Sequence, residues 1–226
     1  MITIEAVRKY FRYQLDNGIY TTDRNGGKTM EMLGAAFLAD EPSIFGKPNK
    51  EYIDAEIEWY ISQSTNITDI YPDGDKEPPK AWQMTANVHG EVNSNYGRLI
   101  WGDEYGNQRE MVCQELLDNR DSRRASMIYT RPSIWKEYNS QGKNDFICTN
   151  SVTYYIRNNK LHCVVQMRSN DVVFGYKNDY AWQKWVLEDM CSSLKVLRYK
   201  ELKVGDIHWQ VQNLHVYEQH FNLVKR

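Results

Sequence analysis

The stretch from Cys148 to Asp179 holds the side-chain types that covalent chemistry on a nucleotide needs. Cys148 supplies a thiol, and Arg168 and Ser169 supply a cation and a hydroxyl at the end of a predicted strand. A thiolate can attack a ring carbon, a cation and a hydroxyl can bind a phosphate, and an isolated acid such as Asp179 can read a base. We therefore expect covalent chemistry on a phosphorylated pyrimidine.

Cysteine and histidine spacing predicts neither a metal site nor a redox motif. The four cysteines are scattered, and the five histidines include no HExxH arrangement. In a reducing compartment the cysteines would stay thiols. These residues are Cys113, Cys148, Cys163, Cys191, His89, His162, His208, His215 and His220.

Composition indicates a globular protein and gives no general case for a polyanionic partner. The 226 residues contain no Pro/Gly/Ser-rich linker, which predicts a single domain over 1–226. A net charge of -2 argues against general binding to nucleic acid or membranes. Residues 1–5 lack the layout of a secretory signal, and no apolar run is long enough to span a bilayer, so we expect a cytoplasmic protein.

Periodicity and turn signals predict an α/β protein of the α+β type. Asn25-Gly26 and Asn158-Asn159 are typical of tight turns between strands. The predicted helices are 3–16, 49–63, 107–119 and 178–194, and the predicted strands are 19–23, 29–38, 125–129, 151–156, 161–168 and 206–213.

The helix predicted at 49–63 carries an acid in an unusual place. Glu56 lies on a row with Tyr52 and Tyr60 at four-residue spacing. An acid against such neighbours should have a raised pKa and relay a proton. The alternative is an ordinary amphipathic helix with one boundary acid, whose apolar side would be formed by Ile53, Ile57 and Ile61.

Other charged residues also have plain structural explanations. Asp179 falls in the first turn of the helix predicted at 178–194, where an acid often serves only the helix dipole. Arg24 belongs to a turn and could simply be solvated. Arg123 and Arg124 are adjacent and lead into the strand predicted at 125–129. Adjacent arginines in a strand point to opposite faces, so both reach one anion only through a twist or from another chain.

The order of these motifs resembles the thymidylate synthase and deoxycytidylate hydroxymethylase superfamily over nearly the whole chain. That resemblance implies a large twisted mixed β-sheet flanked by helices, and a sheet-to-sheet homodimer. The matching segments are Asp23-Arg24, Glu56-Ile57-Glu58-Trp59, Asn95-Tyr96-Gly97, Ser122-Arg123-Arg124, Cys148, Arg168-Ser169-Asn170-Asp171, Gly175 and His215-Val216-Tyr217.

Three departures from a synthase favour the hydroxymethylase branch found in T-even bacteriophages. Thr149 follows the cysteine where synthases usually carry histidine, and Met167 precedes Arg168 where they carry glutamine. Asp179 replaces the asparagine that reads uracil. An acid can accept from the amino group of cytosine and, when protonated, donate to its bare N3.

The resemblance implies transfer of a one-carbon unit from 5,10-methylenetetrahydrofolate to C5 of dCMP, followed by addition of water. Cys148 would be the nucleophile, and Glu56 with Tyr96 would move protons. The implied nucleotide ligands are Arg24, Arg168, Ser169, Asn170, Asp179, His215 and Tyr217, with Arg123 and Arg124 from a second subunit. The implied folate ligands are Asp171, Trp82 and Gly175. The resemblance implies a C-terminal tail over the folate in relatives; a chain that stops at Arg226 would either bind the cofactor more weakly or have a wetter site.

Several alternatives stay open at this point. The enzyme could methylate or hydroxymethylate dUMP, as a synthase-like protein would, or hydroxymethylate CMP. A protein that keeps the nucleotide pocket for regulation is an alternative of another class, and assembly with other nucleotide-synthesis proteins is also open.

Overall fold

The computed structural model describes residues 2–22 and 26–225. The helices are α1 Ile4–Asp16, α2 Lys50–Ser62, α3 Lys80–Thr85, α4 Tyr96–Trp101, α5 Gln108–Asp118, α6 Ile134–Glu137, α7 Gly175–Leu197 and α8 Phe221–Val224. The strands are β1 Thr21–Thr22, β2 Lys28–Leu38, β3 Ser126–Ile128, β4 Thr149–Arg157, β5 Lys160–Asp171 and β6 Lys203–Tyr217.

The chain divides into two compact units. Met1–Pro48 and Thr153–Arg226 form the first, which we call the sheet unit, and Asn49–Val152 form the second, the helical unit. The strands follow the order β1-β2-β6-β5-β4-β3, and β4 is the strand in which the chain passes from one unit to the other. Among the described residues, no helix is long and apolar enough to cross a membrane.

The sheet unit is built on a mixed sheet. β2 pairs with β6 antiparallel, whereas β5 and β6 are parallel. The predicted hairpin is confirmed, because Asn158 and Asn159 take positive φ angles of 48° and 58° between β4 and β5. Alternate residues of β5 are buried on the side covered by α7, as the sequence pattern predicts; they are Leu161, Cys163, Val165 and Met167.

The helical unit rests on a close approach of two helices. A Cβ atom at Gly97 in α4 would lie 1.7 Å from the main-chain oxygen of Tyr60 in α2, so only glycine fits there. Asn49 and Asn95 cap the two helices, and each side chain accepts from a main-chain N–H. The predicted helices at 49–63 and 107–119 are confirmed as α2 and α5.

Several predicted details are wrong. The helix predicted from 178 begins at Gly175, so Asp179 lies in its second turn rather than its first. The strand predicted at 206–213 extends over Lys203–Tyr217 and includes His215 and Tyr217. By contrast, Arg123 and Arg124 precede β3, as the strand predicted at 125–129 implies.

The buried face of α2 also differs from the prediction. Glu56, Trp59 and Tyr60 are its buried residues, while Ile61 is 38% exposed. Large aromatic side chains reach further than the isoleucines and bury more area, so they decide which face turns inward.

Candidate active site

Glu56 is a buried acid with two hydrogen-bond donors. The hydroxyl of Tyr52, one turn earlier in α2, donates to Oε1 of Glu56 at 2.5 Å. Nε1 of Trp82 in α3 donates to the same oxygen at 3.0 Å and lies 2.9 Å from the Tyr52 hydroxyl. Trp82 also packs edge-on against Trp59, which keeps the indole in place.

This environment changes the proton affinity of the carboxyl. Burial raises the pKa of Glu56 to about 7, against the smaller lowering effect of the hydrogen bonds from Tyr52 and Trp82. Burial, followed by the charge of Glu56, raises the pKa of Tyr52. Glu56 can therefore hold or release a proton near neutral pH, whereas Tyr52 stays a hydrogen-bond donor. The raised pKa of Glu56 is as predicted from the sequence.

Tyr96 stands in the core of the same unit. It is 4% exposed, and its ring stacks on Tyr60 and meets Tyr129 edge-on, both at 5.2 Å between ring centroids. The helix that carries Tyr96 is held by Asn95, whose Nδ2 donates to the main-chain oxygens of Trp59 and Ser64 at 2.8 Å. The Tyr96 side chain is thus rigidly placed.

Cys148 is the one cysteine among the described residues that is not buried. Its Sγ lies 3.9 Å from the main-chain oxygen of Phe146. By contrast, burial raises the pKa of the Cys163 thiol, which makes that thiol a poor nucleophile. Cys148 is therefore the described thiol best suited to react with a ligand.

A buried carboxylate fixes the segment before Cys148. Asp145 is 5% exposed and accepts from the main-chain N–H groups of Asn93 at 2.6 Å and Ser94 at 2.7 Å, and from the Ser94 hydroxyl at 2.7 Å. These bonds join the approach to Cys148 to the segment that leads into α4. Asp145 was not among the predicted site residues; an acid three residues before a reactive cysteine was the available signal.

Arg123 and Arg124 are exposed at the surface of the helical unit. Nε of Arg124 lies 3.0 Å from Oε2 of Glu115, and the side chain of Arg124 is 83% exposed. Hydrogen bonding from Ser122, followed by that from Arg124, lowers the pKa of Glu115. Both arginines are accessible to an anion from outside their own unit.

In the sheet unit, the motif Arg168-Ser169-Asn170-Asp171 ends β5. Arg168 and Ser169 are half-buried. Asp171 organises the turn that follows, because its Oδ2 accepts from the N–H groups of Phe174 at 2.7 Å and Gly175 at 3.3 Å. These bonds hold the turn that joins β5 to the first residue of α7, Gly175.

The structure brings Asp179 onto the same motif. Nδ2 of Asn170 donates to Oδ2 of Asp179 at 2.7 Å. Oδ1 of Asn170 in turn accepts from Nε1 of Trp209 at 3.3 Å. Trp209 was not among the predicted site residues, since nothing in its local sequence separates it from a core tryptophan.

His215 and Tyr217 lie together on β6. Their rings meet edge-on at 4.9 Å, and Nδ1 of His215 lies 3.4 Å from the main-chain oxygen of Asn213. His215 pairs with Asp171 across the parallel strands. Arg24, the remaining predicted ligand, lies outside the described residues.

One group of side chains in the described ranges has metal-ligand chemistry, namely His162, Asp206 and His208 on β5 and β6. The sequence prediction of no metal did not anticipate this group, because His162 lies 44 residues before Asp206, which shares its strand with His208. Nδ1 of His162 accepts from the main-chain N–H of Asp206 at 2.9 Å, so one ring nitrogen is already bonded within the protein.

A sequence model of the family described as thymidylate synthase matches residues 8–226. The chain is 49% identical over 224 residues to deoxycytidylate 5-hydroxymethyltransferase of Enterobacteria phage T4, covering 99% of this chain and 89% of that protein. It is 26% identical over 231 residues to thymidylate synthase of Francisella tularensis subsp. holarctica, covering 95% of this chain and 80% of that protein.

A solved structure shows the same fold. The crystal structure of thymidylate synthase from T4 phage superposes with a TM-score of 0.76 at 20% sequence identity, covering 97% of this chain and 78% of that one. The expected thymidylate-synthase-like fold, with its mixed six-stranded sheet and helices, is confirmed.

Proposed function

Because the chain belongs to the thymidylate synthase family, we propose that it is an enzyme that hydroxymethylates dCMP at C5. The observation that carries this proposal is the 49% identity, over nearly the whole chain, to the deoxycytidylate 5-hydroxymethyltransferase of phage T4. One-carbon transfer from 5,10-methylenetetrahydrofolate and addition of water would give 5-hydroxymethyl-dCMP and tetrahydrofolate.

Cys148 starts the reaction as the nucleophile. Its sulfur bonds to C6 of the cytosine, and the electron pair displaced from the ring makes C5 nucleophilic. C5 then bonds to the one-carbon unit. Loss of the C5 proton and of tetrahydrofolate leaves an exocyclic methylene, water adds to that carbon, and the sulfur departs. The accessibility of Cys148 relative to the buried cysteines supports this role.

Glu56 moves the protons that these steps require, assisted by Tyr96. A carboxyl whose pKa is about 7 can accept and return a proton at neutral pH. Tyr96 adds a phenol on a rigid helix start. The packing of both side chains within the helical unit supports this assignment.

Asp179 reads the base, and the remaining ligands hold the nucleotide. Oδ2 of Asp179 receives a donor from Asn170, so the carboxyl is oriented before a ligand arrives. Arg24, Arg168 and Ser169 bind the phosphate, since a guanidinium binds phosphate through paired hydrogen bonds. His215 and Tyr217 hydrogen-bond the 3′-hydroxyl of the sugar.

A homodimer completes the phosphate site. Arg123 and Arg124 of one protomer reach the nucleotide of the other, and the two sheets form the interface. The exposure of Arg124 supports a role outside its own chain. In this proposal residues 1–226 act as one catalytic domain in the cytoplasm of an infected cell, and assembly with other nucleotide-synthesis proteins stays open.

The folate lies against Trp82, Asp171 and Gly175. The half-buried indole of Trp82 offers an apolar surface to the pterin, and its N–H is already committed to Glu56, so the ring is held in one orientation. Asp171 accepts main-chain hydrogen bonds through both oxygens, from Val173 to Oδ1 and from Phe174 to Oδ2, which leaves lone pairs for a ring N–H. Polar and aromatic groups of this kind fit a pterin.

The test is tritium release from C5-labelled dCMP in the presence of 5,10-methylenetetrahydrofolate. Hydroxymethylation predicts tritium release without dihydrofolate. Dihydrofolate formation would instead support a methylase, and faster reaction of dUMP or CMP would support the corresponding alternative substrate. Nucleotide binding with no tritium release would support a regulatory protein. Cys148→Ser is the control that must abolish release.

A further inference from the structure

Two hydrogen bonds run in series from a core tryptophan to Asp179. Nε1 of Trp209 donates to Oδ1 of Asn170 at 3.3 Å, and Nδ2 of Asn170 donates to Oδ2 of Asp179 at 2.7 Å. Trp209 is 0% exposed and Asn170 is 3% exposed. Because water does not reach these two side chains, the bonds are not exchanged for bonds to solvent.

The tryptophan decides which end of the amide faces Asp179. An amide can turn either its oxygen or its NH₂ towards a neighbour, but an indole nitrogen is a donor only. Trp209 can therefore meet only the oxygen of Asn170. A turned amide would place its NH₂ against the indole N–H and its oxygen against a carboxylate oxygen, so both contacts would be repulsive.

The absence of a side chain at Gly175 leaves room for the Asn170 amide. A Cβ atom at Gly175 would lie 2.9 Å from Nδ2 of Asn170, closer than such contacts allow. Glycine at the first position of α7 thus lets the amide lie between the end of β5 and the helix that carries Asp179. This gives Gly175 a role in shaping the nucleotide site as well as its proposed place beside folate.

The fixed amide has a consequence for the acid. Oδ2 of Asp179 receives a donor, so it acts as an acceptor, and a proton on the carboxyl belongs on Oδ1. An acceptor and a donor side by side match the amino group and bare N3 of cytosine. Uracil presents the opposite pair, a carbonyl oxygen and an N3–H.

We propose that Trp209 is a specificity-determining positioning residue, which acts through Asn170 to hold Asp179 in the arrangement that accepts cytosine and rejects uracil. This inference rests on the proposed function and deepens it. Trp209 itself touches neither substrate nor reacting atoms in this role.

Trp209→Phe tests the proposal, because it keeps an aromatic ring and removes the N–H. We expect kcat/KM for dCMP to fall about ten-fold or more while that for dUMP falls less, since one buried hydrogen bond to a recognition group is lost. Trp182→Phe is the matched control, as Trp182 is also 0% exposed in the sheet unit. It should leave the ratio of the two substrates unchanged. An unchanged ratio in Trp209→Phe would overturn the proposal.

A second variant covers the case in which Trp209→Phe does not fold. Asn170→Leu removes the amide at similar size, and calorimetry then compares the Kd values for dCMP and dUMP without requiring turnover. We expect the preference for dCMP to shrink about ten-fold; a preference equal to that of the wild type overturns the inference. If the wild type itself shows no preference for dCMP, the proposed function fails as well.

Discussion

The carboxyl of Glu56 is poised between its two protonation states by opposing effects. Burial favours the neutral form, and the donors Tyr52 and Trp82 favour the charged one. The result is a pKa of about 7, where a proton relay works best because neither state is rare. Of the two donors, the Tyr52 hydroxyl is the one that a substitution can remove with the least change in side-chain shape.

Tyr52→Phe should move the pH dependence of the reaction. Without the hydroxyl, the pKa of Glu56 rises further, so activity that requires ionised Glu56 should appear at higher pH by about one unit. The measurement is kcat against pH with dCMP and the folate. A lower kcat at every pH with an unmoved midpoint would mean that Tyr52 acts only in packing.

The same burial should make stability depend on pH. The pKa of Glu56 is about 7 in the folded protein and near its ordinary value of 4.5 in the unfolded chain. As pH rises from 4.5 to 7, the unfolded chain releases this proton first, so burial of Glu56 costs increasing free energy.

Glu56→Gln removes that cost while it keeps an acceptor for Tyr52 and Trp82. We expect the free energy of unfolding to increase by about 3 kcal/mol above pH 7 and to change little below pH 4.5. Urea unfolding at pH 8 and pH 4.5 measures both. Glu58→Gln, at an exposed position of the same helix, is the control and should give no such difference.

At the scale of the elements, the contact between α2 and α4 sets the distance between two proposed catalytic side chains. Glu56 lies on α2 and Tyr96 on α4, and the helices meet at Gly97. A methyl group there would lie 1.7 Å from the Tyr60 oxygen, so the helices would have to separate.

Gly97→Ala should therefore damage both stability and activity. Overpacking against a main-chain oxygen costs about 3 kcal/mol, and the displaced helix should lower kcat more than it changes KM for dCMP. Thermal unfolding and steady-state kinetics are the measurements. A variant with wild-type Tm and kcat would show that the two helices can separate without consequence.

The elements that the sequence predicts well are those whose own pattern decides them. Period-two alternation in β5 and the Asn158-Asn159 turn identify the hairpin, because register in a half-buried strand follows from its side chains. The predicted start of α7 was wrong because the turn before the helix is held by Asp171, which accepts from the N–H groups of residues three and four positions later. The buried face of α2 was wrong because aromatic bulk in the surrounding unit outweighs the isoleucine row.

Over the whole molecule, the candidate site residues could be predicted from the order of motifs in the sequence. The side chains that hold those residues in place could not. Cys148, Glu56 and Asp179 can be recognised from their residue types and from the residues near them in sequence. Asp145 and Trp209 contact side chains that are far away in sequence, so only the folded chain pairs them with Ser94 and Asn170.

The proposed dimer makes a prediction about mixtures of two defective proteins. If Arg123 serves the nucleotide of the other protomer, Arg123→Ala and Cys148→Ser should each give a homodimer with little or no activity. A mixed dimer holds one site with neither defect, which combines Cys148 of the first variant with Arg123 of the second. Its other site carries both defects.

Equal amounts of the two variants, unfolded together and refolded, should recover about a quarter of the wild-type activity, since half of the dimers are mixed and half of their sites are intact. Tritium release from labelled dCMP measures the recovery. Refolding each variant alone gives the baseline. Activity no greater than that baseline would mean that Arg123 acts within its own chain, and the proposed exchange of arginines between protomers would then be wrong.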